Sequence, residues 1–172
     1  MKQSIENYIF TSKRLGYRLL KESDFNDYFK LDSNPEVRKY FPSGTLDSQK
    51  IKSNIRKNID FFEENGFGVF IAIELTTGEF VGRCGFGQIP TGEIEVGYVF
   101  LPNFWGKGFA TEALVALIDW AKQNLKATDT VIAFTPTNHI ASQRCMQKAG
   151  MEFYKKDLKD GEECVFYKIQ LR

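Results

Sequence analysis

The spacing of hydrophobic residues changes between strand-like and helical along the chain. Residues 14–20 alternate between apolar and polar positions, which predicts a first strand. Ser23 is typical of a helix N-cap, and Phe25 and Tyr28 after it share one helical face. Pro35 can begin a second short turn of helix. The start of the chain therefore predicts a strand followed by helical segments.

Residues 47–66 carry a longer helical pattern. Either Asp47 or Thr45 can open this helix, and Gly66 is typical of a helix end. The apolar stripe consists of Ile51, Ile55, Ile59 and Phe62. Such a stripe predicts an amphipathic helix with one buried face.

Three predicted strands with short connections occupy the middle of the chain. They run from Val69 to Ile73, from Phe80 to Phe86 and from Glu93 to Leu101. Their connections are too short for crossovers, so we expect an antiparallel meander. The second strand is rich in glycine, which suggests a bulge or close packing. Its glycine-rich segment contains Gly82, Gly85 and, just beyond, Gly87.

The second half of the chain alternates helices and strands. Its predicted elements are a helix from about Ala110 to Leu125, a buried strand from Thr130 to Phe134, a helix from Ser142 to Ala149, and two strands, Met151–Lys156 and Cys164–Leu171, around the Asp160-Gly161 turn. This order of elements predicts one mixed α/β domain over residues 1–172.

Composition limits the classes of function. The 172 residues suit one domain, and 42% hydrophobic residues support a packed core rather than a disordered chain. Because 23 Lys and Arg face 22 Asp and Glu, the net charge of +1 provides no general attraction for nucleic acid or acidic lipid. The single histidine, His139, leaves no ligand set for a multi-His site, so no metal is expected.

The expected compartment is the cytoplasm. Three cysteines without C-x-x-C spacing fit a reducing environment better than a disulfide framework. Residues 1–7 lack the apolar run of a signal peptide. No stretch approaches the roughly 18 apolar residues of a membrane span. We therefore expect a cytoplasmic protein without a membrane partner.

The segment from Glu95 to Leu114 has the composition of a phosphate site. A strand runs into the loop Gly106-Lys107-Gly108, which opens a helix. Glycines let main-chain N–H groups converge, and the helix N-terminus adds unpaired donors and a positive dipole end. The segment fits neither the P-loop nor the dinucleotide fingerprint. By themselves, the two glycines could also serve only to shape a tight strand–helix turn.

A longer motif supports the ligand-binding interpretation. Trp105-x-x-Gly108-x-Ala110, followed by Thr-Glu-Ala, resembles the signature Gln/Arg-x-x-Gly-x-Gly/Ala of the GNAT superfamily of acyl-CoA-dependent N-acetyltransferases. Trp at the first position is typical of its RimJ/RimL-like branch. The similarity extends to Thr11 through Leu15, to Asn34 through Val37, and to Ser142 through Met151, so it covers nearly the whole chain in order.

The resemblance implies both a fold and a cofactor. The fold is a mostly antiparallel mixed sheet, splayed in the middle and flanked by helices, and the cofactor is acetyl-CoA. The strand before the loop would bind the pantetheine arm, and the loop and helix start would bind the pyrophosphate, with Lys107 at the rim. The cofactor-binding residues implied are Tyr98, Val99, Phe100, Gly106, Lys107, Gly108, Phe109, Ala110, Thr111 and Asn138.

The implied reaction is direct attack of a primary amine on the acetyl thioester in a ternary complex. Glu95 is the candidate base, acting through water, or it binds the substrate ammonium ion or a surface cation. Ser142 could protonate the leaving thiolate, or it could only cap its helix. A main-chain N–H near Val99 or Phe100 is the candidate oxyanion donor. Many relatives place a tyrosine where this chain has Met146.

Two other positions near the final helix leave their roles open. Asn138 precedes Ser142 by four residues instead of the expected three, and His139 takes the expected register. One of the two should contact the pantetheine arm, and we favour Asn138. Cys145 is interpreted as a buried core thiol rather than a nucleophile.

The acceptor is expected to be a protein N-terminus or a small-molecule amine. Two alternatives remain at this point. One is a non-catalytic acyl-CoA-binding module of the same fold, and the other is a nucleotide-binding protein that uses the same loop. Family members often form dimers, so a homodimer is also among the expected assemblies.

Overall fold

The computed structural model describes residues 7–172. The signal-peptide expectation depends mainly on residues 1–6, which lie outside the described residues. The strands are β1 (Phe10–Thr11), β2 (Leu15–Leu19), β3 (Val69–Glu74), β4 (Phe80–Gln88), β5 (Ile94–Phe100), β6 (Thr130–Pro136), β7 (Glu152–Lys159) and β8 (Glu162–Gln170). The helices are α1 (Phe25–Asp32), α2 (Ser48–Asn65), α3 (Phe109–Asn124) and α4 (Ile140–Lys148). None of these helices has the length and apolar content that crossing a membrane requires.

The eight strands form one sheet in the order β1-β2-β3-β4-β5-β6-β8-β7. Every neighbouring pair is antiparallel except β5 and β6, which are parallel. The predicted mixed sheet and the β3–β5 meander are therefore confirmed. The sequence analysis missed β1, because two residues are too few to show a period.

Helices cover both faces of the sheet. Helices α1 and α2 pack on one face through a cluster that contains Ile51 and Ile71. Helices α3 and α4 pack on the other through Leu117, Met146 and Phe70. Successive strand residues point to opposite faces, so Phe70 and Ile71 contribute to different helical layers.

The sheet opens between β5 and β6. Strand β5 pairs with β4 along its whole length, from Ile94 to Phe100. Its register with β6 consists of one pair, Glu95 opposite Ile132. Beyond that pair the two parallel strands diverge, which is the splay that the family resemblance implied. The divergence leaves one edge of β5 without a neighbouring strand.

The start of α1 differs from the prediction. Ser23 lies within a 3₁₀ turn, Glu22–Asp24, and does not cap α1. The Asp24 carboxylate occupies this corner, accepting the Lys21 main-chain N–H at 2.8 Å and pairing with Arg18 at 2.8 and 2.9 Å. Leaving a buried guanidinium without a charged partner costs more free energy than leaving a helix N-terminus without a serine cap. The ion pair therefore decides the structure of this corner.

An ion network fixes the segment that follows α1. Residues 35–40 form hydrogen-bonded turns where a short helix was expected after Pro35. Asp32 is 1% exposed and accepts two hydrogen bonds from Arg83 of β4, at 2.8 and 2.9 Å, and one from Arg38 at 3.3 Å. Arg38 also donates to the Gly44 carbonyl at 2.8 Å. The network therefore ties this segment to the centre of the sheet.

Candidate active site

A cleft of about 920 Å³ lies where β5 leaves β6. One side is lined by residues 104–106, residues 108–111 and part of α4, which belong to the α3/α4 layer. The other side is lined by residues 36–42, which follow α1, and by the β7–β8 turn. The cleft therefore passes between the two helical layers, and two ligands can approach each other from opposite faces of the sheet.

The loop before α3 has an irregular backbone that glycine makes accessible. Gly106 and Gly108 have φ angles of +69° and +81°, in the left-handed region that residues with a Cβ rarely adopt. Trp105 between strand and loop donates its indole N–H to the Phe100 carbonyl at 2.9 Å. The glycines let the chain turn, and the tryptophan holds the turn against the end of β5.

The N-terminus of α3 is open. Gly108 occupies the N-cap position and supplies no side chain to cap the helix. The first hydrogen bond of the helix runs from Glu112 N–H to the Gly108 carbonyl. Among residues 7–172, no group accepts a hydrogen bond from the main-chain N–H groups of residues 106–111. Unpaired donors at the positive end of a helix dipole make an anion site.

The structure separates the loop residues into two groups. Gly106, Gly108 and residues 109–111 line the cleft. The exposed Lys107 is outside the cleft lining, and its carbonyl accepts a hydrogen bond from Arg14 at 2.9 Å. The main chain of the loop, and not the lysine charge, therefore faces the cleft.

The open edge of β5 follows from the hydrogen bonding of its other edge. The Leu101 N–H donates to the carbonyl of Val81, a residue of β4, at 2.9 Å. Because successive residues of a strand direct their N–H and C=O groups to opposite edges, Val99 faces β4, and Tyr98 and Phe100 face the cleft. Of these groups, the Phe100 carbonyl already accepts the Trp105 indole N–H. The main-chain N–H of Phe100 and the main-chain N–H and C=O of Tyr98 remain open. Of the two expected oxyanion donors, only the Phe100 N–H points the right way.

Glu95 lies at the point where β5 and β6 meet, and it lines the cleft. Burial raises the pKa of this carboxyl, and the nearby Lys159 ammonium offsets part of the increase. The lysine pairs with Asp160 at 2.8 Å instead. No residue between 7 and 172 forms a hydrogen bond or an ion pair with the Glu95 side chain, so the cation pairing considered for it does not occur there.

Ser142 is not the cap of α4, because the helix begins two residues earlier, at Ile140. Its side chain is buried at the cleft, where its Oγ accepts the Tyr98 hydroxyl at 3.4 Å. Burial raises the pKa of Tyr98, so the phenol stays protonated. Two hydroxyls from different elements therefore meet beside the open edge of β5.

The next residues of α4 also correct an expectation. Met146 is buried in the core, whereas Cys145 is half-buried at the cleft. Both side chains line the cleft, the cysteine from a half-buried position and the methionine from within the core. Cys145 is therefore not the buried core thiol that its spacing indicated.

Asn138 and His139 occupy different environments. Asn138 is exposed and outside the cleft lining, whereas His139 lines it. The His139 ring stacks on Tyr40, with centroids 3.8 Å apart and planes at 7°, and its Nδ1 lies 3.1 Å from Thr135 Oγ1. Burial and then the Lys39 charge lower the pKa of His139. The contact favoured for Asn138 therefore has no geometric support.

Sequence reasoning left open which side chains line the side of the cleft opposite α3 and α4. Residues 36–42 and the β7–β8 turn, which line it, come from connections between helices and strands. The Tyr40–His139 stack joins one of these connections to the start of α4. Only the folded chain brings these segments together.

A mixed sheet that opens between two parallel strands, beside an uncapped helix N-terminus, defines the acyl-CoA N-acyltransferase class. The chain belongs to the acetyltransferase (GNAT) domain family, whose model matches residues 14–152.

Individual relatives agree with this assignment. The uncharacterized N-acetyltransferase YnaD of Bacillus subtilis (strain 168) is 32% identical over 157 residues, covering 89% of each chain. A GNAT-family acetyltransferase structure from Bacillus anthracis is 26% identical, with a TM-score of 0.79 over 94% of this chain and 97% of that one. RimL, a ribosomal L7/L12 alpha-N-protein acetyltransferase solved with coenzyme A, has a TM-score of 0.78 at 15% identity over 95% and 98%, which shows the shared fold alone. The chain is therefore an acetyl-CoA-dependent N-acetyltransferase that acetylates amines.

Proposed function

We propose that acetyl-CoA binds on the α3/α4 side of the cleft. Its diphosphate would accept hydrogen bonds from the N–H groups of residues 106–111, and its pantetheine arm would pair with Tyr98 and Phe100 on the open edge of β5. The observation that carries this proposal is the set of unpaired N–H groups beside the cleft. We assign no cofactor contact to the side chains of Lys107 and Asn138, because both lie outside the cleft lining.

Glu95 is the proposed base. When bound, acetyl-CoA supplies a thioester carbonyl that the amine nitrogen attacks, and the C–S bond breaks as the thiolate leaves. Glu95 accepts the proton that the amine loses, through one water molecule. Burial raises its pKa towards the operating pH, which strengthens it as a base. Because no described residue pairs with it, its oxygens are available to water and substrate.

Two atoms gain negative charge in the reaction, the thioester carbonyl oxygen and the leaving sulfur, and each needs a hydrogen-bond donor. The open N–H of Phe100 is the proposed donor to the developing oxyanion. Ser142 accepts a hydrogen bond from Tyr98, so its own proton is free to point at the thiolate. A thiol has a pKa of about 8.5, well below that of either hydroxyl. Ser142 therefore stabilises the thiolate by hydrogen bonding, Tyr98 supports it by donating to Ser142, and solvent supplies the proton of the thiol.

The proposed acceptor is a primary amine, on a small molecule or at a protein N-terminus. It enters from the side lined by residues 36–42 and the β7–β8 turn. Carboxylates at this side, Glu36, Glu95 and Glu162, suit the ammonium form in which an amine arrives. Tyr40 offers an aromatic surface to the carbon skeleton.

Branch, compartment and assembly are also proposals. Trp105 before the glycine loop supports the RimJ/RimL-like branch. Three free cysteines fit a cytoplasmic location. A homodimer is proposed on the family resemblance alone.

Two measurements test the proposed function. Thermal shift should show stabilisation by acetyl-CoA, by about 2.7 kcal/mol at 100 times its Kd, and none by NAD or ATP. Thiol release should then be followed across a panel of primary amines. Acetyl-CoA binding without release for any amine would support the non-catalytic module instead, and stabilisation by ATP or NAD alone would support a nucleotide-binding protein.

A further inference from the structure

Arg14, between β1 and β2, holds the start of α3. Its main-chain N–H and its Nε donate to the two carboxylate oxygens of Glu112, both at 2.7 Å. Ser12 Oγ donates to the same carboxylate at 2.6 Å. Nη1 of Arg14 donates to the Lys107 carbonyl at 2.9 Å, and its guanidinium lies 4.0 Å from the centre of the Phe109 ring. We call Ser12, Arg14 and Glu112 the Arg14 latch.

The latch sets the direction of the peptide between Lys107 and Gly108. In a trans peptide the C=O and N–H groups point in opposite directions, and residues 7–172 contain no cis peptide. Arg14 holds the Lys107 carbonyl on the side away from the cleft. The Gly108 N–H therefore points towards the cleft. The cleft lining agrees, because it includes Gly108 and excludes both Lys107 and Arg14.

Without Arg14, two changes would weaken the anion site. Gly108 tolerates many backbone angles, so the peptide could turn over and present its carbonyl oxygen to an anion. The Glu112 carboxylate, in the first turn of α3, would also repel a diphosphate nearby. Burial by itself raises the pKa of Glu112, but hydrogen bonds from Ser12 and Arg14 outweigh burial and lower it. The carboxylate therefore stays charged, and Arg14 neutralises that charge.

We propose that Arg14 is a positioning residue for the diphosphate of the acetyl donor. It acts through the Lys107–Gly108 peptide and through Glu112, without touching the donor itself. The inference rests on the proposed function, since it concerns the same anion site. A latch of this kind affects donors that carry a diphosphate and leaves a donor without one unaffected.

Three acetyl donors separate this role from a merely structural one. Acetyl-CoA and S-acetyl-dephospho-CoA both carry the diphosphate, and S-acetylpantetheine does not. For Arg14→Ala we expect KM to rise about 10- to 100-fold for the first two donors, the loss expected from disturbed hydrogen bonds to a charged group. For S-acetylpantetheine we expect KM within about twofold of wild type, and kcat likewise for all three. Arg56→Ala, which removes an exposed arginine paired with Glu22 and Asp60, is the matched control.

Equal losses for all three donors, or no loss for any, would overturn the proposal. Should Arg14→Ala fail to fold, Arg14→Met tests the same selectivity, because it keeps the apolar stem and removes the side-chain donors to Glu112 and to the Lys107 carbonyl. A second readout is the amide signal of Gly108 in ¹⁵N-labelled protein, which coenzyme A should shift in wild type and not in the latch variants. If wild-type protein itself shows no response to coenzyme A, the proposed function fails, and the latch role fails with it.

Discussion

Gly87 lies directly opposite Glu95 on the neighbouring strands β4 and β5. A Cβ atom at position 87 would stand 2.8 Å from Oε1 of Glu95 and 3.4 Å from its Cγ. The first distance is shorter than real contacts to a Cβ atom, and the second is at the limit of ordinary van der Waals contact. The absent side chain of Gly87 therefore provides the space in which the proposed base sits.

Replacing this glycine should move the base without removing it. For Gly87→Ala we expect kcat to fall about 10- to 100-fold, because a displacement near 1 Å has an effect of this size on a catalytic group. Isothermal titration should find the Kd for acetyl-CoA unchanged, since the proposed diphosphate site lies elsewhere in the cleft. In a Glu95→Ala background, Gly87→Ala should lower kcat no further. An equal decrease in kcat in both backgrounds would show that Gly87 does not act by positioning Glu95.

Glu95→Gln tests the base through the pH dependence of kcat. A base acts when deprotonated, so activity falls as pH drops through its pKa. Burial raises the pKa of Glu95, so this decline should lie above the range of an exposed glutamate, whose pKa is about 4.3. Glu95→Gln should remove the decline and lower kcat about 10²- to 10⁴-fold. A variant with the wild-type pH profile would exclude Glu95 as the base.

Glu95 should affect folding stability in the opposite direction to activity as pH rises. A carboxyl whose pKa is raised in the folded state contributes its full stabilisation below the unfolded pKa, and this contribution is lost as pH rises through the folded pKa. Glu95→Gln should therefore melt higher than wild type at pH 8 and close to wild type near pH 4. Each 1 kcal/mol of difference corresponds to about 2–4 °C in Tm for a chain of this size. Calorimetry at the two pH values measures it.

Gly108→Glu should abolish acetyl-CoA binding while the fold survives. The new carboxylate would stand at the open helix N-terminus and repel the diphosphate. Gly92→Glu is a matched control, because both glycines have positive φ, +81° and +89°, and each substitution should cost about 1–2 kcal/mol of backbone strain. Gly92 lies outside the cleft lining, so its variant should keep wild-type affinity. Unchanged affinity in Gly108→Glu would refute the assignment of the loop.

Asp32→Ala should destabilise the whole chain by about 3–5 kcal/mol, because it leaves two guanidinium groups without their shared buried partner. Asp27→Ala removes a more exposed ion pair with Lys30, and we expect a loss below about 1 kcal/mol. Urea unfolding of both variants gives the comparison. Similar losses in the two would show that the Asp32 network carries no special weight.

Local chemistry explains which elements could be predicted. Asp47 accepts the Lys50 N–H at 2.8 Å and Gly66 ends α2 with a φ of +75°, as their residue types indicate. Ser23 misled the prediction because the partner that decides this corner, Arg18, lies on a strand. The start of α4 was placed two residues late for a similar reason, since Ser142 bonds to Tyr98 and not to its own helix.

Residue patterns alone were enough to predict the longer strands and helices in order, the glycine loop before α3 and the family, because caps, periodicity and motifs depend on residues close together in the chain. Tertiary structure alone decided which loop residues face the cleft, how Gly87 accommodates Glu95, and how Arg14 reaches Glu112 across 98 positions. These depend on the strand order, on which edge of β5 is left open and on how far β5 and β6 diverge. Pairing between distant segments sets all three, and no local pattern records it.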